Sequence, residues 1–327
     1  MSFLARFAWA VLGYNLCVIL WGAFVRASGS GAGCGSYWPL CNGVVVPQDA
    51  GTATLVELTH RITVGLALIL MVVLLIWSFR ATRRGSPVRL GAVLSFTFFL
   101  IEGGIGAGLV LLEKVGEDSS LARAGWLAGH LLNTFLLLAC LTLTAWWASG
   151  GSPIRTRGVE RSAWLAGSLL VATLLVGMTG AVTALGDTLF PATSLTHGLQ
   201  QDRSPAAHFL VRLRVLHPAL AVGVGFCLLL AAPVLAARTP EAPRPRPSTG
   251  SVAKALGALV PIQWAGGGAN VLLLAPIWLQ LVHLLLADLL WITLVLLTAH
   301  ALTDRRRDRK GFRSGLGRDL LAAGSGQ

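Results

Sequence analysis

The stretch ELTHRITVGLALILMVVLLIWSF, residues 57–79, decides the fold of this chain. From Ile62 to Phe79 it contains no charged residue. A run of about 20 apolar residues is long enough to cross a bilayer core of roughly 30 Å. Because lipid offers no hydrogen bonds to the backbone, only helices and closed barrels cross it, and so long an apolar run is typical of a helix.

Seven similar runs make the chain a predicted all-α integral membrane protein. Hydrophobic residues make up 54% of the 327 positions, charged residues make up 12%, and the mean hydropathy is +0.71. Soluble domains usually carry about 25% charged residues. The eight predicted transmembrane helices are 8–26, 57–79, 90–112, 125–148, 162–186, 207–236, 255–275 and 277–302.

The distribution of basic residues predicts the orientation in the cell membrane. The formal net charge is +12, and the loops and tail on one side hold 18 Lys and Arg, whereas loops 27–56, 113–124 and 187–206 hold three. Cytoplasmic loops carry such an excess, so we expect both termini in the cytoplasm. Because the basic residues lie in alternate loops between apolar helices, their predicted partner is membrane lipid and not nucleic acid. The same holds for the basic cytoplasmic tail, 303–327.

Matched histidines indicate an internal repeat of a four-helix unit. His60 and His217 lie on the second and sixth predicted helices, 157 residues apart; His130 and His283 lie on the fourth and eighth, 153 residues apart. A tandem duplication explains this match. We therefore expect an N-terminal half, 1–150, and a C-terminal half, 151–302, related by a pseudo-two-fold axis along the membrane normal.

The same histidines are candidate haem ligands. An ionisable side chain inside a membrane span is costly and is functional by default, although a single one is as often a packed, hydrogen-bonded residue. Each half supplies one histidine from each of two helices. A six-coordinate haem needs two imidazoles on opposite faces of its ring. We interpret His60 with His130, and His217 with His283, as two such pairs.

Four arginines lie near the outer ends of these helices. Guanidinium groups at that depth could bind haem propionates through paired hydrogen bonds. Snorkelling to lipid headgroups explains them equally well. The residues are Arg26, Arg61, Arg212 and Arg214.

Glu57 and a cysteine pair lie on the outer side of the N-terminal half. Glu57 precedes His60 by three residues, on the same helical face, and is either a proton-transfer group or an acid at a helix N-terminus. Cys34 and Cys41 share the first outer loop, where an oxidising compartment favours a disulfide. That bridge is either a structural staple or a redox-active pair.

Together these residues resemble the haem A synthase family, in the bacterial type that has the outer cysteine pair. The resemblance extends over all eight predicted helices. Its most specific part is the arginine-ended first helix with the cysteine pair, Glu57 and His60. The matching pieces are GAFVRASGSGAGC (22–34), Cys41, ELTHR (57–61), GHLLNT (129–134), LHP (216–218) and VHLLLA (282–287).

The resemblance implies an oxidoreductase of haem A biosynthesis. Such proteins oxidise the C8 methyl group of haem O to the formyl group of haem A by successive hydroxylations, for terminal oxidases. It implies that His217 and His283 bind the iron of haem b as a cofactor, and that His60 and His130 frame the haem O site with Glu57 assisting catalysis. Haem O synthase and oxidase assembly factors are the implied protein partners.

Two other functions remain open from the residues. A non-catalytic di-haem cytochrome b would use the same four histidines, and a transporter with a parallel repeat would use them as proton relays. The chain has no nicotinamide or flavin fingerprint, so a redox function needs an external electron donor. One departure from the family pattern is Glu102, where glutamine is expected.

Overall fold

The computed structural model describes residues 2–48, 50–154, 160–237 and 248–303, and its regular structure is entirely helical. The prediction of an all-α membrane protein is therefore confirmed. The predicted tail beyond 303 and most of the loop before the seventh span lie outside the described residues. The helices are α1 (Phe3–Ala27), α2 (Thr52–Ala81), α3 (Pro87–Leu111), α4 (Leu121–Ala148), α5 (Glu160–Leu189), α6 (Leu195–Arg203), α7 (Phe209–Arg214), α8 (Leu216–Ala237), α9 (Thr249–Leu272) and α10 (Ile277–Ala301), with a short 3₁₀ turn at Ser30–Ala32.

Seven helical segments of the described residues are long and apolar enough to cross a membrane: α1 to α5, α7 with α8, and α10. The predicted seventh span corresponds to α9, which has 24 residues and packs between α8 and α10. Lys254, Gln263 and three consecutive glycines interrupt the apolar character of α9, which is not among those seven segments. The eight-helix prediction is compatible with this arrangement.

The predicted sixth span is divided into α7 and α8 at Val215. Pro218 follows in the first turn of α8. It has no N–H to donate to the carbonyl of Arg214, four residues earlier, so one hydrogen bond of the α-helical ladder is missing where the two helices meet. The break gives His217, beside the proline, a position in the first turn of a new helix.

The eight long helices of the described residues form two groups of four, α1 to α4 and α5 with α8 to α10. In the first, α1 and α3 each contact both α2 and α4; in the second, α5 and α9 each contact both α8 and α10. The groups meet through α1 and α4 on one side and α5 and α10 on the other. This pairing is compatible with a pseudo-two-fold axis along the membrane normal.

An aromatic pair joins the two groups at their centre. Phe135 of α4 and Trp291 of α10 stack with their ring centroids 5.1 Å apart, and both are fully buried. The indole N–H of Trp291 donates to the Phe135 carbonyl at 2.6 Å. Gly177 of α5 lies so close that a Cβ there would be 2.9 Å from the Phe135 ring. Interhelical contacts of this kind stabilise bundles in lipid, where there is no hydrophobic drive between helices.

Replacing this indole should therefore loosen the contact between the groups. Trp291→Ala removes the stack and the hydrogen bond, and truncating a buried aromatic residue costs roughly 3–5 kcal/mol. Thermal unfolding in detergent should show a clearly lower midpoint. Trp278→Ala is the matched control on the same helix, since Trp278 is 60% exposed. Equal midpoints for the two variants would contradict a central role for Trp291.

Candidate functional site

The structure brings the four histidines together as two pairs, one in each helical group. His60 of α2 and His130 of α4 are close enough to interact electrostatically, and so are His217 of α8 and His283 of α10. All four side chains are partly buried. In the first group α2 and α4 lie on opposite sides of the ring of four helices, so this pair faces across the interior of the bundle.

The histidine rings pack against glycines at equivalent places in the two helical groups. A Cβ on Gly22 of α1 would lie 3.0 Å from Cε1 of His60, and a Cβ on Gly180 of α5 would lie 3.0 Å from Cε1 of His217. Both imidazoles therefore pack directly on a helix backbone. His283 packs in the same way on Gly266, at 3.3 Å from its Nδ1 atom.

The polar side chain next to the second histidine of each pair differs between the two helical groups. Nε2 of His130 lies 3.2 Å from Oε1 of Glu102 on α3, which also accepts hydrogen bonds from Asn133 and Thr134. Nε2 of His283 lies 3.3 Å from the side-chain amide of Gln263 on α9. Glu102 and Gln263 each stand nine residues before the last residue of their helices, at equivalent positions. The sequence pattern singled out Glu102 but not Gln263, although this equivalent spacing was a signal for it.

The donor set fits a haem held by two imidazoles. Nδ1 of His60 and Nδ1 of His283 have no hydrogen-bond partner although they are buried. Nδ1 of His217 is 3.2 Å from the Thr179 hydroxyl, a contact of the kind that orients a ligating imidazole. The described residues contain no group of three or more His, Cys, Asp or Glu that could hold a metal ion.

Glu57 connects the loop between α1 and α2 to α2 itself. Its carboxylate is buried and accepts the backbone N–H of Cys34 at 2.8 Å and a hydrogen bond from Arg61. Arg61 also donates to the carbonyls of Tyr37 and Leu40. One carboxylate and one guanidinium thus satisfy several loop groups, an arrangement that the three-residue spacing to His60 did not indicate.

A disulfide joins Cys34 and Cys41 within that loop, and both cysteines are almost completely buried. The loop packs tightly on α2, since a Cβ on Gly33 would lie 2.4 Å from the Ala53 carbonyl oxygen. A Cβ on Gly31 would lie 3.6 Å from Val115, so this loop is adjacent to the loop between α3 and α4. The two loops therefore lie at the same end of the first group.

The four candidate arginines have different surroundings. Arg26 crosses between the groups and donates to the Ala184 carbonyl, Thr188 and Gln280. Arg214 pairs with Asp202 at 2.6 Å and Asp187 at 3.4 Å. A propionate contact by Arg61 or Arg214 thus requires an exchange of internal partners. Arg212 is exposed.

Two buried charged residues were not among the candidates predicted from the sequence. Arg123, at the start of α4, is 4% exposed and donates to the carbonyls of Gly116 and Asp118. Asp288 of α10 is 0% exposed, and neither of its carboxylate oxygens has a hydrogen-bond partner. An acid in the middle of a predicted span was a visible signal for Asp288.

Fold and site define a multi-pass α-helical membrane protein with paired histidines in a repeated helical scaffold. Residues 5–53 and 49–295 match the COX15-CtaA family, described as cytochrome oxidase assembly protein. The chain belongs to this family.

Several curated relatives are similar to parts or all of the chain. "Protoheme IX farnesyltransferase" of Thermus thermophilus is 46% identical over 326 residues, which is 99% of this chain and 52% of that protein. "Heme A synthase" of an Exiguobacterium species is 33% identical over 53% of this chain and 55% of its own length. "Heme A synthase" of Geobacillus kaustophilus is 44% identical over 29% of this chain and 30% of its own length. The chain thus spans about half the length of the curated relatives it matches, or less.

The glycine under His217 should control ligand binding at the second pair. Gly180→Ala places a methyl group 3.0 Å from the imidazole, and overpacking of this kind costs roughly 1–3 kcal/mol. We expect the affinity of the purified protein for haem at this pair to fall by about 5- to 150-fold in an absorbance titration. Gly167→Ala, also on α5, is the control, since a Cβ there meets nothing within 4 Å. Identical titrations for the two variants would contradict the packing argument.

Proposed function

We propose that this protein is a haem A synthase, an enzyme that oxidises the C8 methyl group of haem O to the formyl group of haem A for terminal oxidase assembly. The observation that carries the proposal is the presence of two histidine pairs on one repeated scaffold with different surroundings. The family description, and the name "Heme A synthase" of partial relatives, support it.

The differences between the two helical groups support different roles for their two histidine pairs. His217 and His283 bind haem b, the resident cofactor, beside the neutral amide of Gln263. His60 and His130 frame haem O, the substrate, beside the acid Glu102. The disulfide loop and the buried Glu57 belong to the first group alone. A cytochrome that only carries electrons would need no such loop and no such acids at one of its two sites.

The chemistry needs protons, electrons and oxygen at the first pair. Each hydroxylation adds one oxygen atom of O₂ to the methyl carbon and uses two electrons and two protons, which release the other oxygen atom as water. The second hydroxylation gives a hydrate that loses water to the aldehyde. Haem b, when bound, supplies electron transfer from an external donor. Glu57 holds or moves a proton at its carboxylate, and Arg61 and the Cys34 N–H fix that carboxylate in place.

The name of the Thermus relative favours a second candidate, the transfer of a farnesyl group to protohaem. Such a transfer uses a diphosphate, whose Mg²⁺ is usually bound by carboxylates. The described residues hold no acidic cluster fit for a metal ion. Since the match leaves about half of that relative outside the comparison, we favour haem oxidation for these residues. Incubation with protohaem and farnesyl diphosphate would separate the two candidates.

The membrane orientation belongs to the same proposal. Both termini are cytoplasmic, and the disulfide loop, α6 and the outer ends of the even-numbered spans face the outside. A membrane-impermeant maleimide on intact cells should label a cysteine placed at Gln200 of α6 and leave one placed at Ala81, the last residue of α2, unlabelled. The opposite labelling pattern would reverse the orientation.

The direct test of the activity uses purified protein with haem O, O₂ and a chemical reductant. Extraction and chromatography of the haem should show haem A with the wild type and none with His60→Ala or His130→Ala. His217→Ala and His283→Ala should lose haem b and its low-spin spectrum. His197→Ala, in outer helix α6, is the matched control and should behave as wild type. Haem A formation by the His60 and His130 variants would refute the assignment of the substrate site.

Glu57→Gln tests the catalytic carboxylate. The amide oxygen can still accept the Cys34 N–H, so the loop stays attached, but the charge pair with Arg61 is lost. Haem b should remain, and the haem A yield should fall by about 10²-fold or more, as is typical when a general acid–base group is removed. Glu117→Gln, an exposed acid of the second outer loop, should leave the yield unchanged. A wild-type yield from Glu57→Gln would reduce Glu57 to a residue that anchors the loop.

A further inference from the structure

A cavity of about 440 Å³ lies between α3 and α4, beside the first histidine pair. Gly129, one of its lining residues, directly precedes His130, and the exposed Ala122 and Gly125 show that the cavity opens on the outside of the helical group. We call it the α3–α4 groove. Its lining residues are Ile105, Ala122, Gly125, Trp126 and Gly129.

The absence of two side chains creates the α3–α4 groove. Gly125 and Gly129 lie four residues apart, on one face of α4. A Cβ on either glycine would have no heavy atom within 4 Å. The ring of the adjacent Trp126 packs closely on α3, where a Cβ on Gly108 would be 2.8 Å from its Cη2 atom. The ring therefore fixes the spacing of the two helices and forms an apolar wall.

The second helical group carries large side chains at the equivalent positions. The offset of 153 residues between His130 and His283 puts Trp278 at the position of Gly125 and Val282 at the position of Gly129. Both side chains lie on the outer face of α10, 60% and 43% exposed. Large side chains thus cover on α10 the face that is bare on α4.

The two haems proposed for these groups differ in the size of one substituent. Haem O carries a long farnesyl-derived isoprenoid tail, whereas haem b has a short vinyl group at that position. Only the site that receives haem O needs room for a tail. The helix α3 contacts both α2 and α4, so it flanks the space between His60 and His130. The lining residue Gly129 places one end of the groove next to His130 along α4.

We propose that the α3–α4 groove binds the isoprenoid tail of the substrate haem and lets the tail extend toward the lipid. This inference rests on the proposed function. The lining is apolar, as a hydrocarbon tail requires, and the tail needs no hydrogen-bonding partner there. Gly125 and Gly129 are then the residues that make the first group selective for a haem with a tail, and Trp278 and Val282 are their counterparts in the group that binds haem b.

The test gives the first group the side chains of the second. The double variant Gly125→Trp/Gly129→Val should weaken the binding of haem O to the His60–His130 pair by at least about tenfold, because the tail would be displaced from the groove. The affinity of the same pair for protohaem, which has no tail, should change less than about twofold. Absorbance titrations of purified protein with each haem, carried out with haem b already at the second pair, measure both affinities.

Two controls keep the outcomes separate. Gly65→Trp puts the same side chain on an exposed glycine of α2 and should leave both affinities unchanged. An intact haem b spectrum at the second pair shows that the double variant is folded, and the single variant Gly129→Val replaces it if that spectrum is lost. Unchanged haem O affinity, or equal losses for haem O and protohaem, would overturn the role of the groove.

The failure of the proposed function would look different. If the wild type binds neither haem at His60 and His130, the substrate site itself is wrong. If the wild type binds haem O and the variants bind it equally well, only the groove assignment fails. Unchanged haem O affinity together with the loss of a co-purified phospholipid, measured by mass spectrometry, would assign the groove to a lipid chain.

Discussion

Inside the bilayer an imidazole has no water to bond to, and the structure depends on how this cost is met. His60 and His217 lie directly on the backbones of Gly22 and Gly180. Close approach of this kind needs glycine, and it leaves the rings facing the interior of each helical group. Nδ1 of His60 and Nδ1 of His283 are buried without a hydrogen-bond partner. A metal ion held by each pair of imidazoles would offset the cost that an idle histidine imposes on the fold.

The repeat supplies the scaffold, and the differences between its copies supply the chemistry. Equivalent positions carry Glu102 in one group and Gln263 in the other. The glycines that line the α3–α4 groove correspond to Trp278 and Val282 in the second group. The outer loop with its disulfide and Glu57 also belongs to the first group. A duplicated four-helix unit explains the common features. Under the proposed function, these departures explain why one site would hold a resident cofactor and the other a substrate.

Hydropathy and charge were enough to predict the helical membrane fold, because span length and backbone satisfaction in lipid leave few alternatives. Histidine spacing likewise predicted which residues the fold brings together. Side-chain direction was beyond the sequence: Arg26 crosses to the second group, and Arg214 is held by Asp187 and Asp202. Partners so distant along the chain depend on tertiary packing. The division of the sixth span into α7 and α8 was predictable only in part. Pro218 indicated a kink in this region, but it did not indicate that the helix is interrupted at Val215.

The central claim is that one chain holds two haems, each between two histidines. The most direct measurement is the haem content per chain of purified protein saturated with haem, determined by the pyridine haemochromogen absorbance against a quantitative amino-acid analysis. The account predicts two haems per chain. A saturated value of one haem per chain, or none, would contradict it.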